Sequence, residues 1–133
     1  MKPMADPIPS YALAYLRNVD FGADIIRYMR EIDDTLRPFG GEFLVHGGRV
    51  DVREGDVRVG DFGDGTLVLI GFPDSDGAAR WYDSADYQRI LPLRMRNSDA
   101  ITALLEGVAP GHTGATKVTE LLAQKNVPVV PPA

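Results

Sequence analysis

Thr66-Leu-Val-Leu-Ile-Gly-Phe72 is apolar on both of its alternating faces after Thr66. A strand with no polar side needs cover on both, so this segment belongs inside a sheet rather than at its edge. Upstream, the polar run from Arg53 to Gly65 reads as a hairpin connection with no core of its own. Before it, Phe43-Leu-Val-His46 and Arg49-Val-Asp-Val52 read as two short strand pieces, and Gly47-Gly48 between them suggests a bulge or sharp bend. Phe21, Ile25, Met29, Ile32 and Leu36 recur at helical spacing. Asp20 stands in the N-cap position, and Pro38 and Gly40-Gly41 end the helix. Tyr11-Ala-Leu-Ala-Tyr-Leu-Arg17 has strand length, with Ala12, Ala14 and Leu16 on one face and Tyr11, Leu13, Tyr15 and Arg17 on the other. The small-residue face is expected to let a helix approach closely.

Downstream, Pro73-Asp74-Ser75 opens a second helix in which Ala78, Ala79, Trp81 and Tyr82 supply bulk. Ser84 caps a further helical segment carrying Tyr87, Ile90, Leu91 and Arg94, where Pro92 predicts a kink or an early end. Ala100 to Glu106 is the last strand. The order strand, helix, strand, strand, helix, strand is the split βαβ pattern. It predicts an α+β ferredoxin-like βαββαβ sandwich, an antiparallel four-stranded sheet with two helices on one face. Residues 1–10 read as a flexible Pro-punctuated leader, 11–107 as the domain, and 108–133 as an extension. Within that extension Lys117 to Lys125 can form a short helix ahead of a Pro-rich end.

The 133 residues carry a net charge of −5, no Cys and two His. Without Cys there is no disulfide framework, thiolate zinc site or thiol nucleophile. The acidic balance opposes a nucleic-acid-coating surface, and no apolar run nears the roughly 20 residues that span a bilayer. A cytoplasmic protein with no metal, nucleic-acid or membrane partner is expected.

Two helices cover only one side of such a sheet. The alternation leaves Leu13, Tyr15, Leu44, Leu69 and Leu105 on the other side, an apolar patch that soluble monomers rarely leave open. A homodimer packed sheet against sheet by two-fold symmetry follows, unless the tail folds back over the face or reaches across to the partner.

Phe39-Gly-Gly-Glu-Phe-Leu-Val-His-Gly-Gly48, the strand ending at Phe72-Pro73, Trp81-Tyr-Asp-Ser84, Tyr87-Gln88 and Leu93-Arg94 together resemble the domain of unknown function family 1330 (DUF1330). That family belongs to the dimeric α/β-barrel, ferredoxin-like superfamily. The resemblance spans about Tyr11 to Gly107 and implies a barrel-like dimer with a pocket between helices and sheet, without an agreed reaction. The position of His46 is commonly Arg in relatives, so a cationic role does not transfer to it directly.

His46, at a strand end before the Gly-Gly bend and in phase with Leu44 on the uncovered side, is a candidate general base or hydrogen-bonding group. Arg94, at the end of the last helix, can clamp a carboxylate or phosphate with Ser98 or the Tyr87 phenol, or form a salt bridge to Asp33, Asp83 or Asp86. Tyr15, Trp81 and Tyr87 are candidate pocket walls. Tyr15 is the best placed for a ligand on the open face, and Trp81 fits plain core better. The serines lack a neighbouring base, and dinucleotide and P-loop fingerprints are absent. The preferred reading is a homodimeric module binding a small anionic or carbonyl-bearing molecule without a cofactor. Superfamily relatives include cofactor-independent monooxygenases and isomerases, so the resemblance also permits an enzyme with His46 as base and Arg94 stabilising an enolate-like charge. An interaction module using the C-terminal tail is the third alternative.

Overall fold

A computed structural model describes residues 8–55 and 65–125. The expected leader up to residue 7, most of the polar hairpin (56–64) and the Pro-rich end (126–133) lie outside the described residues. Four strands, β1 (Ser10–Arg17), β2 (Glu42–His46), β3 (Thr66–Phe72) and β4 (Asp99–Glu106), form one antiparallel sheet in the order β2-β3-β1-β4. The doubly apolar β3 is an interior strand, as its composition requires. Helices α1 (Ala23–Leu36), α2 (Gly77–Tyr82) and α3 (Ala85–Met95) follow β1 and β3, and α4 (Gly114–Gln124) lies beyond β4. This is the expected α+β ferredoxin-like arrangement.

Pairing fixes which residues share a face. Ala12 lies opposite Ile70 and Ala14 opposite Val68, so these face the helices. Leu13 opposite Leu69 and Ala103 marks the open side. The core between sheet and helices is built from Ile32, Leu36, Val68, Ile70, Phe72, Trp81, Tyr87 and Ile90. Trp81 donates its indole N–H to Thr35 Oγ1 (2.9 Å), and Thr35 passes its own proton to the Ile32 carbonyl (2.7 Å). The indole N–H and the Thr35 hydroxyl are thus satisfied within α1 and α2. Ser10 joins sheet to helix in the same way. Its hydroxyl accepts from the Ala78 amide at the start of α2 (3.0 Å) and donates to the Asp74 carbonyl (2.7 Å).

Several local expectations are corrected. Asp20 does not cap α1. Gly22 occupies the N-cap with extended backbone and no side-chain cap, and the Asp20 amide instead donates to the Asn97 carbonyl (2.8 Å). The dipole role passes to Asp24 in the first turn, whose carboxylate also takes the Asn97 amide (3.1 Å). Arg49–Val52 forms no strand. Pro92 does not end its helix, which continues to Met95 behind the Ser84 cap (Tyr87 N–H to Ser84 Oγ, 3.3 Å). Gly40 closes the α1 segment at φ +69°. Gly41 must lack a Cβ, which would lie 2.7 Å from Phe72 and 2.9 Å from Leu36.

The register of β2 shifts between Phe43 and Val45. Phe43 pairs with Ile70 and His46 with Val68, so both face the helices, while Val45 opposite Leu69 and Leu44 against Gly71 face the open side. One extra residue on one strand of a pair inverts the alternation beyond it. His46 therefore lies on the opposite face from the one its phase with Leu44 predicts: the bulge sits before His46, while the chain bends at Gly47 as expected, with Gly47 and Gly48 both at positive φ.

The open face is apolar, as expected. Leu44 is 52% exposed, Ile101 66% and Leu105 40%, with Leu13 and Leu69 half-buried beside them. Tyr15 is the exception, buried on this face with its ring against Gly65.

Candidate functional site

Helices α1 and α3 pack against each other above the sheet and leave between them and it a cavity of about 470 Å³. Its floor includes Ala12 and Ala14. Their short side chains leave volume open, whereas the sequence suggested close helix approach. Ile25, Ile32, Val68 and Ile70 supply apolar walls. Phe21 and Met29, part of the expected core stripe, are exposed (68% and 43%) and belong to the outer lining. The volume lies within the usual range for small-molecule sites, and so does the pattern of apolar walls with few polar groups.

Four of the polar residues, Arg94, Tyr28, Tyr87 and Ser98, lie together. Arg94, from the last turn of α3, is only 5% exposed, and its guanidinium lies 5.9 Å from the centre of the Tyr28 ring. Tyr28 and Tyr87 share a 2.7 Å hydrogen bond between their hydroxyls, with their rings edge to face. Among the described residues no carboxylate lies within 4.0 Å of Arg94. Of the acids offered for it by sequence, Asp86 pairs with Arg89 instead. Ser98 donates its hydroxyl to the Arg94 carbonyl (2.8 Å) and Asn97 its amide to the Leu93 carbonyl (2.8 Å), which fixes the end of α3 that carries the guanidinium. Burial pushes the Tyr28 phenol far above its ordinary range. The neighbouring Tyr87 adds to this and Arg94 opposes it. For Arg94, burial works against the charged form, yet the facing Tyr87 and Tyr28 outweigh it and the net shift is upward. The site is thus a fixed cation beside a hydrogen-bonded pair of tyrosines, of which Tyr28 is held neutral by burial.

Of the residues singled out from sequence, Arg94, Tyr87, Ser98, Trp81 and His46 all border this cavity. His46 is exposed at its edge and stacked on Phe43, with ring centres 4.2 Å apart. Trp81 is buried, with its ring centre 4.0 Å from that of Tyr87. Tyr15 is not among them, since it lies on the other side of the sheet. Tyr28 is the residue sequence reading passed over. Its position three after Ile25 and four before Ile32 puts it on the same helix face, a signal hidden by reading the stripe through Met29 instead. Among the described residues no cluster of three or more His, Asp or Glu can hold a metal, and no helix is long and apolar enough to cross a membrane.

Fold and cavity define a ferredoxin-like α+β domain with a pocket between its helices and its sheet. The chain belongs to the family described as domain of unknown function (DUF1330), whose sequence profile matches residues 9–108. No curated protein matches it. Among solved structures it is similar to a protein of unknown function from Rhodopseudomonas palustris, with 14% identity, 78% of this chain and 85% of that one covered, and TM-score 0.55. It is also similar to a dimeric ferredoxin-like protein of unknown function from Thermobifida fusca (12%, 80% and 97%, TM-score 0.51). A hypothetical Arabidopsis thaliana protein has the same fold (12%, 86% and 96%, TM-score 0.51).

Proposed function

We propose that this chain is a homodimeric binding module that holds a small anionic or carbonyl-bearing molecule in the cavity between α1, α3 and the sheet. The observation that carries the reading is Arg94, a buried guanidinium facing an apolar cavity with no carboxylate within 4.0 Å among the described residues. Burying a charge without a counter-ion is costly, so an external anion is the natural partner. Dimer formation is supported by the apolar open face and by the similar fold of the dimeric Thermobifida fusca protein. Thermal-shift screening against small carboxylates, phosphates and ketones, repeated on Arg94→Ala and His46→Ala, tests the binding. A ligand whose stabilisation disappears in Arg94→Ala supports the reading, and no ligand-dependent shift at all refutes it.

A second reading is favoured by the bulge that turns His46 toward the same cavity. In this reading the bound molecule undergoes proton transfer, with His46 as base and Arg94 stabilising the developing oxyanion. Turnover of a bound carbonyl compound that His46→Gln abolishes, with binding retained, supports it. Turnover indifferent to that substitution removes it.

A further inference from the structure

We propose that the ligand is a carboxylate monoanion on an apolar body, and that Tyr28 selects its head group together with Arg94. This rests on the cavity being a binding site. Charge counting comes first. Arg94 is the only Arg or Lys among the described residues lining the cavity, no acid lines it, and His46 stands exposed at its edge. One buried positive charge neutralises one negative charge. A phosphate monoester dianion would leave a second charge uncompensated among apolar side chains.

Proton counting comes second. Tyr28 and Tyr87 have two hydroxyl protons between them, and one forms the 2.7 Å bridge. Neither hydroxyl donates to any other acceptor among the described residues, so one O–H remains for an acceptor brought beside the guanidinium. Burial holds Tyr28 in its neutral, proton-bearing form. A carboxylate supplies what this set lacks. One or both oxygens meet the planar guanidinium, and a lone pair accepts the spare phenol proton. Most of the remaining lining is apolar, with Leu16, Val19, Ile25, Met29, Val68 and Ile70 against only Thr66, Thr102 and the exposed His46, and it suits an alkyl or aryl tail better than a hydrogen-bonding one.

The chain contains a single Trp, and Trp81 borders the cavity against Tyr87, so its fluorescence reports occupancy without a label. Decanoate, decanol and decyl phosphate are titrated into wild type, Arg94→Met and Tyr28→Phe, with circular dichroism melts confirming that each variant is folded. Decanoate is expected to bind with saturation and more tightly than either analogue. Arg94→Met is expected to weaken decanoate about tenfold or more, and Tyr28→Phe several-fold, as fits loss of hydrogen bonds to a charged group. Both substitutions should cost decanol, which brings no charge to the guanidinium, less than they cost decanoate. If Tyr28→Phe weakens decanol and decanoate equally, Tyr28 only shapes the wall and its selecting role is overturned. Decanoate and decanol binding alike in wild type, or decyl phosphate binding best, overturns the carboxylate assignment but leaves the cavity as a binding site. Absence of any saturable response to all three overturns both.

Discussion

Replacing Arg94 with Met should stabilise the unliganded protein while removing its affinity for anions. The guanidinium is 5% exposed, and among the described residues it has no carboxylate within 4.0 Å. Its desolvation is a penalty of several kcal/mol in real proteins, offset in the unliganded protein by Tyr87 and Tyr28 rather than by a counter-ion. Against this stands the contact with the Tyr28 ring at 5.9 Å, worth about 0.5–2 kcal/mol. Met fills similar space with no charge and adapts to irregular surroundings. The balance favours the variant by about 1–2 kcal/mol. For a domain of this size that is a rise in Tm of very roughly 4–8 °C. Urea and thermal unfolding at one fixed protein concentration, in a buffer free of carboxylates and phosphate, measure it. A loss of more than about 1 kcal/mol would show that Arg94 is a structural clamp satisfied by Tyr28 and Tyr87, and the case for an external anion would fall with it.

Three further outcomes follow from the geometry. Ser10→Ala leaves the Ala78 amide and the Asp74 carbonyl without their shared partner and should cost about 1–3 kcal/mol in urea unfolding; an unchanged midpoint would show that the staple contributes nothing. Because the folded state holds the Tyr28 proton to higher pH than the unfolded chain does, the unfolded state binds fewer protons above pH ~10. Stability should therefore be level below that pH and fall above it, by at most about 1.4 kcal/mol per pH unit from this group, and Tyr28→Phe should flatten the decline. Parallel alkaline limbs for both proteins would contradict this. Leu69→Lys, placing a charge on the open sheet face, should convert a dimer to monomer in sedimentation velocity without lowering helix content, and a wild type that is monomeric at tens of micromolar would remove the dimer from the proposal.

The element order was legible because each signal there was redundant. β3 is apolar on both faces, α1 has a long periodic stripe, and Ser84 caps a helix with Tyr87 and Ile90 at the right spacing. The open face was legible for the same reason, since strand alternation is a two-state choice. The site was legible only in part. Arg94 and Ser98 come from the C-terminal end of α3 and Tyr87 lies about two turns earlier on the same helix, so local spacing suffices to bring them together. Tyr28 joins them through the packing of α1 on α3, which no local pattern encodes. His46 was assigned to the wrong face because Phe43-Leu-Val-His46 is consistent with unbroken alternation, and the extra residue shows only when β2 is laid against β3. Asp20 fits a capping position by composition, but its amide is drawn to Asn97 at the end of α3.

That irregularity in β2 has an evolutionary corollary. The imidazole reaches the cavity side because one additional residue reverses the parity of the strand ahead of it. Deleting Leu44 would leave Phe43 opposite Ile70, Val45 opposite Leu69 and His46 opposite Val68, with the imidazole still on the cavity side, whereas the same residues paired without the bulge would send it toward the opposite surface. Descendants of one ancestral gene can therefore gain or lose a titratable group at this pocket through a change of strand pairing alone, with no substitution of the histidine and no change of length. An alignment, which carries no strand register, would score the histidine as matched in proteins where it serves opposite sides of the sheet.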